Sequence, residues 1–94
     1  MKMRSGSRLE RILAAGHFAV TVEVGPPRGP DPEVIRKKAN LLRGVADAYN
    51  VTDNQTAVVR MSSLVGAKLL LDEGLEPVMQ MTCRDRNRIA MQSD

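Results

Sequence analysis

Residues 18–24, 49–52 and 78–83 each alternate apolar with polar side chains, and a long stretch of helical periodicity separates each from the next. Alternation with period two belongs to strands. The segments between them are far too long for hairpins and suit crossovers, which bring successive strands together in parallel with helices packed on the sheet. This order constrains the fold more than any other feature of the chain. It predicts an α/β architecture of repeated strand–helix units.

In the first unit Phe18, Val20, Val22 and Val24 fall on one face, and Ala19, Thr21 and Glu23 on the other. Gly25, Pro26 and Pro27 end the strand, since proline lacks the N–H that a ladder needs and biases the preceding residue away from helix. Glu23 is therefore placed near the carboxyl end of a strand, where parallel α/β folds put ligands and catalysis. From the residues alone it is either an acid at such a site or a carboxylate neutralised by a neighbouring arginine. Asp31-Pro32-Glu33 then predicts a helix start, with a capping carboxylate, a proline at the first helical position and an acid in the first turn. Val34, Ile35, Ala39, Leu42 and Val45 recur at helical spacing, and Arg36, Lys37 and Lys38 read as a wet face.

In the second unit Tyr49 and Val51 oppose Asn50 and Thr52. A polar loop, Asp53-Asn54-Gln55-Thr56, leads to a helix with Leu64, Ala67, Leu70 and Leu71, capped by Ser62 or Ser63 and closed at Gly74. The third strand is predicted over Val78–Cys83, with Met79, Met81 and Cys83 opposing Gln80 and Thr82, and Ile89, Ala90 and Met91 begin a last helix. Ahead of all this, Ser7 caps a short helix carrying Leu9, Ile12 and Leu13, which Gly16 ends. Each strand thus bears a polar pair on one face: Thr21 with Glu23, Asn50 with Thr52, Gln80 with Thr82. An open doubly wound sheet buries both faces under helices, whereas polar strand ends suit the mouth of a β/α barrel. Three strands cannot close one. The pattern therefore suits a β/α barrel of which these strands are only a part.

Composition narrows the function. The 94 residues carry a net charge of +3, with 14 basic and 11 acidic residues mixed along the chain, as on an ordinary solvated surface. Aromatic residues are only 2%, so Phe18 and Tyr49 must share the core with aliphatic side chains and methionines. Lys2 and Arg4 open the chain, but Arg8, Glu10, Arg11 and His17 interrupt any apolar run, so no membrane segment is expected. One cysteine, Cys83, excludes an internal disulfide and suits a reducing, cytoplasmic setting, where it reads as an inert thiol. No Cys/His spacing predicts a metal site, and His17 stands alone at a helix–strand junction. The cluster Arg84, Arg86 and Arg88 lacks interleaved aromatics and contains Asp85, which argues against nucleic acid and for a helix entry touching an anionic cofactor.

Three motifs carry a family likeness: Val-Glu-Val-Gly-Pro-Pro-Arg-Gly-Pro-Asp (22–31), Asn-Val-Thr-Asp-Asn (50–54) and Met-Thr-Cys-Arg-Asp-Arg-Asn-Arg (81–88). Together they resemble the methylenetetrahydrofolate reductase family, most of all the branch also found fused to homocysteine methyltransferase domains. The resemblance implies an eight-stranded barrel holding FAD at the carboxyl ends of its strands. With NAD(P)H or another electron donor, such a barrel reduces methylenetetrahydrofolate to methyltetrahydrofolate. Glu23 matches the family's strand-one glutamate, which protonates the folate so that its methylene bridge opens to an iminium able to accept hydride. A partly desolvated carboxyl suits that task. Thr52 matches a threonine near the flavin and nicotinamide, and Asp53 and Gln55 fall in the loop that borders the flavin. Gln80 stands where many members carry a flavin-contacting histidine, Gly25 where an aromatic is common, and Asp53 where others have tyrosine. By this resemblance the chain looks like the amino-terminal three βα units of a truncated TIM (β/α)8 barrel, a single incomplete domain over residues 1–94, and is expected to be inactive alone. Its expected partners are the folate substrate and either a second copy or another redox or methyltransferase subunit. A different class of function, a non-catalytic α/β binding or assembly module, is the alternative that a flavin spectrum would separate.

Overall fold

The computed structural model describes residues 4–94, so Lys2 lies outside the described residues. Its elements in chain order are α1 (Arg8–Ala14), β1 (Thr21–Val24), α2 (Pro32–Leu42), β2 (Ala48–Val51), a single 3-10 turn (Gln55–Ala57), α3 (Ser63–Asp72), β3 (Pro77–Met79) and α4 (Arg88–Ser93). The strands form one parallel sheet in the order β1-β2-β3. Glu23 pairs in register with Asn50 and Val24 with Val51, and Val51 in turn with Met79.

Local chemistry starts each helix where the sequence places it. The Asp31 carboxylate accepts the Glu33 N–H at 3.0 Å, and the Ser7, Ser62 and Asn87 side chains cap α1, α3 and α4 in the same way. Gly16 and Gly74 follow α1 and α3 with φ of +81° and +79°, the left-handed turn that glycine adopts without strain.

The core lies between the sheet and the layer of α2 and α3, which also pack against each other. Val24, Ile35, Ala39, Tyr49, Val51, Ala67, Leu70 and Leu75 form its buried cluster, and the Tyr49 hydroxyl is satisfied by donating to the Leu42 carbonyl at 2.8 Å. Helix α3 comes close to β2 because residue 66 is glycine. A Cβ there would stand 3.0 Å from Val51 Cγ1. Alternation then sends Thr21, Glu23 and Asn50 to the opposite face, where Thr21 and Glu23 are exposed and Asn50 is half-buried.

Several expectations need correction. The first strand begins at Thr21 and not Phe18, because its partner strand begins only at Ala48 and the residues before Thr21 have no ladder to join. Phe18 is consequently 90% exposed and contributes nothing to the core, whose one ring is Tyr49. The third strand covers Pro77–Met79 and stops short of Cys83, which is exposed together with Met81. Val45, Leu64 and Leu71 are also exposed, so the apolar stripes of the helices are narrower than their spacing suggests. The basic triplet is not all wet. Lys38 reaches back to donate its Nζ to the Gly25 carbonyl, and Arg36 pairs with Glu33 and, at 3.8 Å, with Glu73. Helix α1 buries no residue. It is held at its start, where the Arg8 N–H donates to both carboxylate oxygens of Glu76 at 2.9 and 2.8 Å and the Arg8 guanidinium meets Asp47 at 3.1 Å.

Candidate active site

The sequence places five candidate residues at the carboxyl ends of the strands, and the fold brings four of them, together with Gly25, into two adjoining layers. Glu23 is the next-to-last residue of β1, exposed on the open face and in register with Asn50. Among the described residues, no arginine pairs with it. One position further along the strands come Gly25, Thr52 and Gln80. Thr52 is only 5% exposed and its hydroxyl has no hydrogen-bond partner among the described residues. Gln80 is exposed, while its backbone is fixed: its N–H donates to the Val51 carbonyl at 3.1 Å and its carbonyl accepts the Ser63 hydroxyl at 2.8 Å.

Gln55 joins this group from the loop after β2. A Cβ at residue 25 would lie 3.3 Å from Gln55 Nε2, so the carboxamide occupies the space beside Gly25 that a larger side chain would fill. The backbone around it is unusual. Asn54, Thr56 and Ala57 all have positive φ, at 47°, 59° and 58°, a conformation that non-glycine residues hold only when their surroundings over-determine it. Here the Asn54 side chain accepts the Arg60 N–H at 2.9 Å, the Arg84 guanidinium donates to the Asn54 carbonyl at 2.9 Å, and the Met61 N–H donates to the Pro27 carbonyl at 2.7 Å.

Asp53 is instead buried against the segment that follows β3. Its carboxylate receives Arg86 through two nitrogens, Nε at 2.9 Å and Nη2 at 3.1 Å, and the Thr82 N–H at 2.8 Å. The side chains of Asp53 and Arg86 are 1% and 16% exposed, and the remaining guanidinium nitrogen of Arg86 bonds to Asp94. Hydrogen bonds from Arg86 hold the Asp53 carboxyl down at about 2, with the Thr82 N–H adding to them against the opposing effect of desolvation. The same bonds push Arg86 above the usual arginine range. The arginine-neutralised carboxylate, expected as one alternative at Glu23, is thus found at Asp53. Two members of the basic cluster are committed to carboxylates, Arg86 as described and Arg84 to Asp85, while Arg88 opens α4.

Arg86, Thr82 and Ser63 organise the strand ends, yet nothing in their local sequence marks them for it. Arg86 follows Asp53 by 33 residues, so only the folded sheet makes them neighbours. A cavity of about 600 Å³ lies at the opposite, amino end of the strands and is lined by the Arg8, Asp47 and Glu76 latch, away from Glu23. Among the described residues no group of acids, histidines or cysteines could hold a metal ion, and no helix is long and apolar enough to cross a membrane.

Comparison with known families adds one finding. The family model described as Methylenetetrahydrofolate reductase matches residues 8–94. Neither the curated proteins nor the solved structures give a match. Residues 8–94 take in every helix and strand from α1 to α4, together with Glu23, Thr52, Asp53, Gln55 and Gln80. The chain belongs to the methylenetetrahydrofolate reductase family.

Proposed function

We propose that this chain is the amino-terminal part of an FAD-dependent β/α barrel that reduces methylenetetrahydrofolate to methyltetrahydrofolate, with Glu23 as the acid. The observation that carries this reading is the contrast between two carboxylates at one end of the sheet. Asp53 is buried and tied to Arg86, whereas Glu23 stands exposed on the open face beside Asn50. A group that must hand a proton to a substrate has to be reachable and free of a locking ion pair. The winding supports the barrel: strands in sequential order with α2 and α3 packed together continue naturally around a closed cylinder, whereas a doubly wound sheet reverses direction.

The residues present fit a flavin. Among the described residues the Thr52 hydroxyl lacks a partner, the Gln80 carboxamide is exposed in the same layer, and Gln55 offers both a donor and an acceptor beside Gly25. Thr52, Gln55 and Gln80 would hold FAD, which would supply hydride transfer to the folate from NAD(P)H or another electron donor. The side chains do the rest: Thr52, Gln55 and Gln80 orient, and Glu23 gives its proton to the folate so that the methylene bridge opens. Asp53, kept ionised by Arg86, serves the site by fixing the loop that borders it. In the flavin-loaded complete enzyme, Glu23→Gln should keep bound flavin and its reduction by the donor, while folate reduction falls by about 100-fold or more. Rapid-mixing kinetics decides this. Near-normal reoxidation of reduced flavin by methylenetetrahydrofolate would remove Glu23 from the acid role.

A second reading, an α/β assembly module, is favoured by the surface. The chain exposes 6214 Å², against about 5,400 Å² for a compact protein of its mass. The excess matches the roughly 800 Å² that each partner contributes to a standard interface. Phe18, Leu41 and Val59 are each at least 80% exposed. Both readings therefore call for association, with a second copy or with a redox or methyltransferase subunit, and the chain alone is expected to be inactive. Light scattering combined with an FAD titration separates them, since only the first requires flavin.

A further inference from the structure

In a parallel ladder every second residue of one strand bonds its N–H and C=O to two residues of a given neighbour, one before and one after its register partner. Between β2 and β3 this pattern runs through Tyr49, whose N–H donates to the Glu76 carbonyl, and Val51, whose carbonyl accepts the Gln80 N–H. The next residue in the series is 53, whose backbone would take the Gln80 carbonyl and the Thr82 N–H. Both groups are instead held by side chains. The Ser63 hydroxyl donates to the Gln80 carbonyl at 2.8 Å, and the Asp53 carboxylate accepts the Thr82 N–H at 2.8 Å.

We propose that Asp53 and Arg86, together with Ser63, are positioning residues that hold the carboxyl ends of β2 and β3 apart by the breadth of a side chain and so set the separation of Thr52 from Gln80. For the site this separation fixes the width offered to a flat aromatic ligand, a consequence that rests on the flavin reading above. Side-chain rungs alone would be loose. Arg86 removes the looseness, because its two-nitrogen fork fixes the plane of the carboxylate and keeps Oδ2 aimed at the Thr82 N–H. Asp94 steadies the far side of the guanidinium, and Ser63, fully buried in the first turn of α3, anchors the other rung to the helix layer. The charged groups around the carboxylate are Arg86 and, nearby, Arg84, Asp85 and Asp94. Two arginines thus face three carboxylates here, and Arg86 is shared between Asp53 and Asp94.

The test uses the full 94-residue chain, labelled with nitrogen-15 and carbon-13, and reads amide exchange and the cross-strand nuclear Overhauser contacts between Thr52 and Gln80. Asp53→Asn should speed exchange of the Thr82 amide by about tenfold or more and alter the Thr52–Gln80 contacts, with the buried ladder at Val51 much less affected. Arg86→Lys is the second variant, and it remains informative if Asp53→Asn fails to fold. It keeps the charge but not the fork, so positioning predicts that it leaves both readouts displaced, whereas a purely structural charge pair predicts full rescue. Unchanged readouts in Asp53→Asn, or complete rescue by lysine, overturn the proposal. Neither readout needs a ligand, so the positioning role stands or falls separately from the flavin reading.

Discussion

Substituting Gly66 by alanine sets two well-understood effects against each other. Alanine favours a helix interior over glycine by about 1 kcal/mol. The added methyl, however, would lie 3.0 Å from Val51 Cγ1, with Pro26 Cγ at 3.7 Å and Ile35 Cδ1 at 4.0 Å closing the other sides. Carbon atoms in contact rest near 3.5–4.0 Å. Val51 is fully buried and β-branched, so it cannot turn aside, and α3 must withdraw from β2 by roughly half an ångström. Overpacking of this kind costs about 1–3 kcal/mol, which outweighs the helical gain in all but its mildest form. We expect a net loss of about 1 kcal/mol, and a lengthening of the bond from Ser63 to Gln80, because Ser63 rides on the same helix. Urea unfolding followed by circular dichroism measures the first as a lower midpoint at unchanged slope. Lys68→Ala, at an exposed position of α3, serves as the control and should change stability by less than about 0.5 kcal/mol. A Gly66→Ala chain more stable than the original would refute the argument, since it would mean that α3 and β2 are not in tight contact.

Two further outcomes follow from the same structure. Asp53 titrates at about 2, below its ordinary 3.8. A depressed carboxyl contributes stability that is complete above the unfolded value and is lost as pH falls through the folded one, so about 2 kcal/mol should disappear between roughly pH 4 and pH 2. Urea midpoints across that range should fall less steeply in Arg86→Gln, and an identical acid dependence in the two proteins would argue against the pair as its source. Phe18→Ser should leave monomer stability within about 0.5 kcal/mol, because the ring is 90% exposed, and should weaken any self-association seen by light scattering. A large loss of stability would place the ring in contacts that the fold does not contain.

What the sequence reveals here is mostly what depends on near neighbours. Asp31-Pro32-Glu33 marks the start of α2 because capping and the proline preference act within one turn, and the alternation of Glu23 with Val22 and Val24 assigns its face without reference to any other strand. Strand extent is different, since it depends on a partner. Phe18 continues the alternating pattern perfectly and still falls outside the ladder, because β2 does not reach it. Ser62 and Ser63 look interchangeable in sequence, yet one caps α3 while the other is buried and holds Gln80. Asp53 and Arg86 show the limit most clearly: each reads locally as a polar loop residue, and only the parallel register of β2 and β3 turns them into an ion pair.

The latch at the start of α1 bears on the order in which the chain assembles. Arg8 engages Asp47 and Glu76, which follow it by 39 and 68 residues, whereas β1 pairs with β2 and β2 with β3 between sequence neighbours. During synthesis the strand–helix units can therefore add one after another as they emerge. Helix α1, although made before the sheet, has no complete anchor until Glu76 is in place, and with none of its own residues buried it has little to hold it before then. Although α1 precedes the sheet in the chain, it is in this sense the last to dock on it, and its release uncovers none of the buried core.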